Sequence, residues 1–145
     1  MNESELRRRV AEARVARLAT VDEKGHPHLV PICFALDGDT LYSAVDRKPK
    51  RTAELRRLEN VRGNPWVSVL VDGYDEDWSR LWWVRLDGLA QIVADELERA
   101  RALGLLQAKY EQYRAEPPEG PVLAVAVERR RGWSASDLAG QRDPA

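Results

Sequence analysis

Cysteine is almost missing from this sequence. Cys33 is the only one in 145 residues, which excludes an internal disulfide framework and any multi-cysteine metal site. Redox chemistry, if the chain performs it, must be borrowed from a cofactor. No uninterrupted apolar run is long enough to cross a bilayer, so no membrane association is expected. Met1 to Val10 holds Glu3, Glu5 and three arginines with no apolar stretch behind them; no targeting signal is read there, and the cytoplasm is the expected compartment. Excess charge of one sign is missing as well. Twenty-three basic residues face twenty-four acidic ones, which leaves no global positive field of the kind nucleic-acid binders carry. Histidine occurs only as His26 and His28, flanking Pro27 without a clear third ligand, so no metal site is expected.

What is present fits one globular domain over residues 1–145, with a flexible tail from about residue 135. Hydrophobic residues make up 43% and charged residues 32%, a balance that argues against disorder. Asn2 with Glu5 three residues on forms a capping box, and Leu6, Val10 and Ala13 continue at helical spacing. Val15 to Val21 and Leu29 to Leu36 read as strands of a hairpin. Asp37-Gly38-Asp39 then turns the chain tightly into a third strand, Thr40 to Val45. Pro49 opens a second helix, lined by Leu55, Leu58 and Val61 and stopped by Gly63-Asn64-Pro65. Trp66 to Val71 is a fourth strand. Leu81 to Val93 is a fifth, with Gly88 marking a bulge or bend. Leu97, Leu103, Leu106 and Tyr110 predict a third helix to about Tyr113, and Val122 to Val127 is a sixth strand. This order fits a six-stranded antiparallel barrel with flanking helices, mainly β in class.

The most informative stretch is Ser43-Ala44-Val45-Asp46-Arg47-Lys48-Pro49-Lys50-Arg51-Thr52, where a strand ends and a helix opens among four cations. Unsatisfied N–H groups at a helix N-terminus attract anions, whereas cations there oppose the helix dipole and call for a reason. A basic cluster is more often a solvated turn. Its position argues for a bound phosphate, because Pro49 fixes the helix entry and Arg51 and Thr52 fall in the first turn.

Four segments together carry a resemblance: His28 to Phe34, Asp46 to Thr52, Asn64-Pro65 before Val67 to Val71, and Leu81 to Gly88. In their order and spacing they resemble the pyridoxamine 5′-phosphate oxidase-like split β-barrel superfamily. Within it, the chain looks most like the actinobacterial deazaflavin-dependent reductases, which use coenzyme F420. The resemblance runs from about Ser4 to Trp133. It implies a homodimer with two cofactor sites at the subunit interface. By that match Lys48, Lys50, Arg51 and Thr52 hold the phosphate, Ser43 and Ala44 lie beside the sugar-like chain, and Val30, Pro31, Ile32 and Cys33 lie against the ring system.

Other residues have plainer readings beside functional ones. His26 and His28 are more often packing residues than catalysts, and alternation separates His28 from Cys33, which disfavours a Cys-His nucleophile pair. Trp82 reads as core, with Trp83 and Arg85 on the opposite face. Arg85 needs a partner, either Asp87 or a cofactor anion, and the resemblance places such an arginine near the cofactor. The acidic loop Asp72 to Arg80 reads as solvated or as a cover for the substrate opening. Trp133 is either a packing anchor or a closure for the partner's pocket.

The leading expectation is an oxidoreductase in which F420 passes a hydride to a small organic substrate, the protein supplying position, charge and exclusion of water. This agrees with the lack of a recognisable triad, acid pair or metal set, and no catalytic residue is assigned. A second possibility is an FMN-binding oxidoreductase. The pyridoxamine phosphate oxidases use a late arginine and histidine for their substrate, and no histidine follows His28. A third is a flavin or haem carrier without turnover.

Overall fold

The computed structural model describes residues 1–45 and 52–140, without the side chains of residues 52–55 and 138–140. Its elements follow one another as α1 (Glu3–Glu12), β1 (Ala16–Val21), β2 (Pro27–Ile32), β3 (Ala35–Asp37), β4 (Thr40–Ala44), α2 (Thr52–Gly63), β5 (Trp66–Gly73), β6 (Trp82–Ile92), α3 (Glu96–Lys109), α4 (Glu111–Ala115), β7 (Val122–Ser134) and α5 (Ala135–Gly140). A single 3-10 turn, Trp78–Arg80, precedes β6.

Seven strands form one antiparallel sheet in the order β2-β1-β5-β6-β7-β4-β3. Only Cys33 and Phe34 join the two edge strands β2 and β3. The sheet must therefore curl until its edges approach, which is the split barrel expected from the sequence. Leu18, Val69, Val71, Val84, Leu86, Leu123 and Val125 line its interior with Phe34, and Leu58 and Val61 of α2 join the same core. α3 covers the other face of β4 over Tyr42, Ala102 and Val122.

Local chemistry explains most boundaries. Asn2 Oδ1 accepts from Glu5 N at 2.8 Å, capping α1. Asp95 caps α3 in the same way through Glu98 N at 2.9 Å. Gly25 and Gly38 take φ of 84° and 60° in the two hairpin turns, a region open to glycine without a Cβ clash. At Gly88 the β6–β7 register shifts. A Cβ there would stand 2.2 Å from Ala126 O, so the glycine admits the close backbone approach.

Several expectations are corrected. The strand foreseen over Leu29 to Leu36 is two strands, which makes seven rather than six. Phe34 turns wholly into the core, and Tyr110 supplies the hydrogen bonds the ladder loses: its hydroxyl accepts from Phe34 N at 3.0 Å and lies 3.1 Å from Phe34 O. The third helix breaks at Tyr110, whose backbone is extended (φ −118°, ψ 118°), and α4 continues beyond it. Leu97 does not help to anchor α3, because it is exposed; Leu106, as foreseen, is buried, and Ala102 is buried with it. The last strand also runs seven residues past Val127, to Ser134. Residues 135–140 form α5, and 141–145 lie outside the described residues.

Candidate functional site

Asp46, Arg47, Lys48, Pro49, Lys50 and Arg51 lie outside the described residues, and so does the side chain of Thr52, which opens α2. The anchors on either side of this segment are described. Val45 is fully buried and its N–H donates to Pro121 O at 2.8 Å. Beyond the segment, Leu58 and Val61 hold α2 in the core, and Asn60 Nδ2 donates to Thr20 Oγ1 at 3.0 Å inside the protein. Both ends of the basic segment are thus tied to the barrel.

His28 is the residue that sequence reasoning undervalued. It shares the inner face of β2 with Val30 and Ile32. Its Nδ1 is buried and finds no hydrogen-bond partner among the described residues. Burial, followed by the neighbouring Arg56 and Arg57 guanidinium groups, holds the imidazole below its usual range. A buried polar nitrogen without a partner, beside two cations, suits an anion better than an apolar neighbour. Alternation along β2 was the available signal for the inward direction. The approach of Arg56 and Arg57 depends on how α2 packs.

Ser43 behaves similarly. It points inward between Leu41 and Val45, and its buried Oγ has no partner among the described residues. Ala44 faces the other way and packs beneath α3. The four residues expected to face a ring system are divided by strand alternation. Val30 and Ile32 pack towards the core, Pro31 is exposed on the outer face, and Cys33 packs against Tyr110. Only their backbone edge could present a common surface.

Arg85 stands on the opposite surface of the sheet, bonded to Asp87 (Nε to Oδ1, 3.1 Å), which also accepts from Ser68 Oγ at 2.7 Å. Asp87 is one of the two partners foreseen for Arg85. A shallow groove of about 570 Å³ runs along this outer face, lined by Arg17, Leu29, Leu70, Trp83 and Arg85 among others. Trp133 is paired in register with Trp83 beside it. Trp82 packs against the core as expected and receives Arg9 over its ring at 4.9 Å. The loop before β6 leaves Tyr74 and Trp78 exposed, while Asp77 caps the 3-10 turn through Ser79 N. A second groove, of about 460 Å³, separates the β1–β2 turn from α2 and mixes Asp22, Glu23 and Glu59 with Lys24, His26 and Arg56. No group of metal-ligating side chains occurs among the described residues, and no helix there is long and apolar enough to cross a membrane.

The family model described as pyridoxamine 5′-phosphate oxidase matches residues 3–134. Among curated proteins none matches the chain. In three dimensions it is similar to the conserved hypothetical protein Rv2991 from Mycobacterium tuberculosis, at 23% identity and a TM-score of 0.75, over 96% of this chain and 88% of that one. It is similar to the FAD-binding protein from Mycobacterium smegmatis, at 20% identity and a TM-score of 0.63, over 92% and 94%. A third relative in fold is the haem storage protein HutZ from Vibrio cholerae, at 16% identity and a TM-score of 0.70, over 91% and 93%.

Proposed function

The chain belongs to the pyridoxamine 5′-phosphate oxidase family, and from that premise we propose that it is an oxidoreductase using a flavin-type cofactor, coenzyme F420, to reduce a small organic substrate. The observation that carries the reading is the inward imidazole of His28, without a partner among the described residues and flanked by Arg56 and Arg57 at the helix that follows the basic segment. Lys48, Lys50, Arg51 and Thr52 complete the anion site, with Ser43 and Ala44 beside the chain that leads from phosphate to ring. The backbone of Val30, Pro31, Ile32 and Cys33 meets the polar edge of the ring. When bound, the deazaflavin supplies the hydride. The protein's share is to bind, orient and keep water out.

A second copy of the chain belongs to the same proposal. Leu29, Trp66 and Leu70 are exposed together on the outer face of the sheet, and covering them in a homodimer removes an apolar patch from water. Arg85 then comes within reach of the partner's cofactor. The expected compartment is the cytoplasm, and the partners are a small-molecule substrate and a second subunit, with neither nucleic acid nor membrane involved.

The FAD-binding and haem-storing relatives in fold give the competing outcomes of one experiment. The purified protein is titrated separately with F420 and FMN, and the reduced deazaflavin is then offered with candidate acceptors. Micromolar or tighter F420 binding, with turnover, is the expected result. FMN binding without F420 binding transfers the protein to the flavin oxidoreductases. Binding without turnover of any acceptor makes it a carrier. Lys50→Ala with Arg51→Ala is expected to cost several kcal/mol of cofactor affinity, at about 1.5–3 kcal/mol for each charge-assisted hydrogen bond. Unchanged affinity means the corner is only a solvated turn.

A further inference from the structure

Between α1, the β3–β4 turn and the strands β6 and β7 lies a pocket of about 210 Å³ that the proposed function does not use. Val10, Leu36, Leu86 and Val127 line it, and Val10 and Leu86 are almost wholly buried, so its floor is apolar. Ala11 and Gly38, both exposed, stand at its rim. The two polar side chains in the lining are Arg7 and Arg130. They converge on one carboxylate oxygen of the turn: Arg130 Nη2 donates to Asp39 Oδ1 at 2.6 Å and Arg7 Nη2 to the same atom at 3.3 Å. Arg7 Nε also reaches Glu3 Oε1 at 3.3 Å.

The bridge by itself has a plain purpose, since it ties the hairpin turn to α1 and to β7. It does not account for the pocket beneath it. Interiors are ordinarily close-packed, and apolar walls that face a void lose their dispersion contacts. The space exceeds the roughly 150 Å³ apolar cavity that takes up benzene. The bridge is also easily exchanged. Asp39 is 67% exposed whereas Arg130 is only 17% exposed, and an ion pair with one partner so open to water contributes little. Arg130 has no other acidic partner among the described residues. A covered guanidinium beside an apolar floor, already holding a carboxylate, specifies an anionic head joined to an apolar chain.

We propose that this pocket binds a small aliphatic monocarboxylate, its chain against Val10, Leu36, Leu86 and Val127 and its head on Arg130 and Arg7 in place of Asp39. The exchange leaves the charge around the two arginines unchanged and returns the Asp39 carboxylate to water, where most of it already lies. Asp39 is then a built-in competitor for the ligand. The site shares no residue with the proposed cofactor site, so its test stands whether or not F420 binds.

The test is a titration of the full chain with sodium hexanoate, followed by amide chemical shifts in NMR. Saturable shifts at Ala11, Gly38 and Val127 are expected. Acetate lacks the chain and hexanol the charge, and each is expected to bind about tenfold more weakly or worse. Asp39→Asn removes the competing carboxylate and is expected to tighten hexanoate binding several-fold. Arg130→Gln is expected to weaken it about tenfold or more, as loss of a charge-assisted hydrogen bond does. Arg7→Gln, on the exposed side of α1, serves if that variant fails to melt cooperatively. The proposal is overturned if hexanol binds as tightly as hexanoate, if the shifts do not saturate, or if they gather around Leu29 and Leu70 on the outer face instead. An Asp39→Asn protein that binds hexanoate no more tightly than the wild type also overturns it.

Discussion

Tyr110 shows how much a single hydroxyl can organise. It accepts from Phe34 N and stands 2.9 Å from Arg14 O and 3.1 Å from Phe34 O, closing the backbone where the ladder stops between β2 and β3. Tyr110→Phe keeps the ring and strands a buried N–H. An unsatisfied buried donor costs about 1–3 kcal/mol, and urea unfolding of the two proteins measures it. A midpoint that does not move would mean that water replaces the hydroxyl. His28 leads to a pH prediction with a definite sign. Its folded-state pKa lies below its ordinary 6.5, chiefly through burial, so the fold favours the neutral ring. Stability present above pH 6.5 is lost as pH falls towards the folded value. His28→Gln therefore loses less stability than the wild type between pH 7 and 5 in parallel thermal melts; identical slopes would place the imidazole in open solvent. A bound anion reverses the sign, because it favours the imidazolium. Cofactor binding is then expected to take up a proton near pH 6, an uptake missing from the glutamine variant. Neither residue was fully legible in the sequence. Tyr110 read as the last apolar position of a helix and His28 as packing, since the groups that give them meaning arrive from Phe34, Arg56 and Arg57 through tertiary structure.

At the scale of elements, legibility follows how local the cause is. The α1 cap, the turn at Gly38 and the stop after Gly63 depend on neighbours within a few residues, and all were foreseen. So was the irregularity at Gly88, because a glycine inside a long apolar strand marks a bulge. The break between β2 and β3 was not legible, for Leu29 to Leu36 is continuously apolar and strand-forming. It breaks because Phe34 must enter the core and Tyr110, far along the chain, satisfies its backbone. The candidate site divides in the same way. The basic segment was readable from its composition, whereas the orphaned Oγ of Ser43 emerges only when β4 lies between its neighbours. Gly88 allows a direct test. A Cβ there would lie 2.2 Å from Ala126 O and 3.1 Å from Val127 Cα, both backbone atoms that cannot swing aside. Gly88→Ala is expected to destabilise by roughly 1–3 kcal/mol, the usual cost of forcing an extra methyl into a packed position. Chemical denaturation with an unchanged m-value checks it, and a cost within error would show that β7 can slide to relieve the contact.

For the molecule as a whole, the question is what covers the outer face of the sheet. Leu29 is 67% exposed, Trp66 55% and Leu70 38%, on strands that sit side by side in the order β2-β1-β5. Arg17, Arg85 and Arg131 fall on one cross-strand row of the same face, through the register pairs Arg17–Leu70, Leu70–Arg85 and Arg85–Arg131. An apolar centre edged by arginines, of which Arg17 and Arg85 are paired with Asp72 and Asp87, is the face that the proposed homodimer would cover. Leu70 lies in the middle of that row with its side chain outward, so Leu70→Glu buries no charge in the monomer and should leave its melting cooperative. In a homodimer closed over this face, the same carboxylate is desolvated, and like charges are brought together across a two-fold axis. The expected outcome is a shift from dimer to monomer in sedimentation equilibrium. If each cofactor site is completed by the second subunit, the variant also loses cofactor affinity at concentrations where it is monomeric and regains some of it as concentration rises. A wild type that sediments as a monomer removes the dimer. A monomeric variant that binds cofactor as tightly as the wild type keeps the dimer but places each site within one chain.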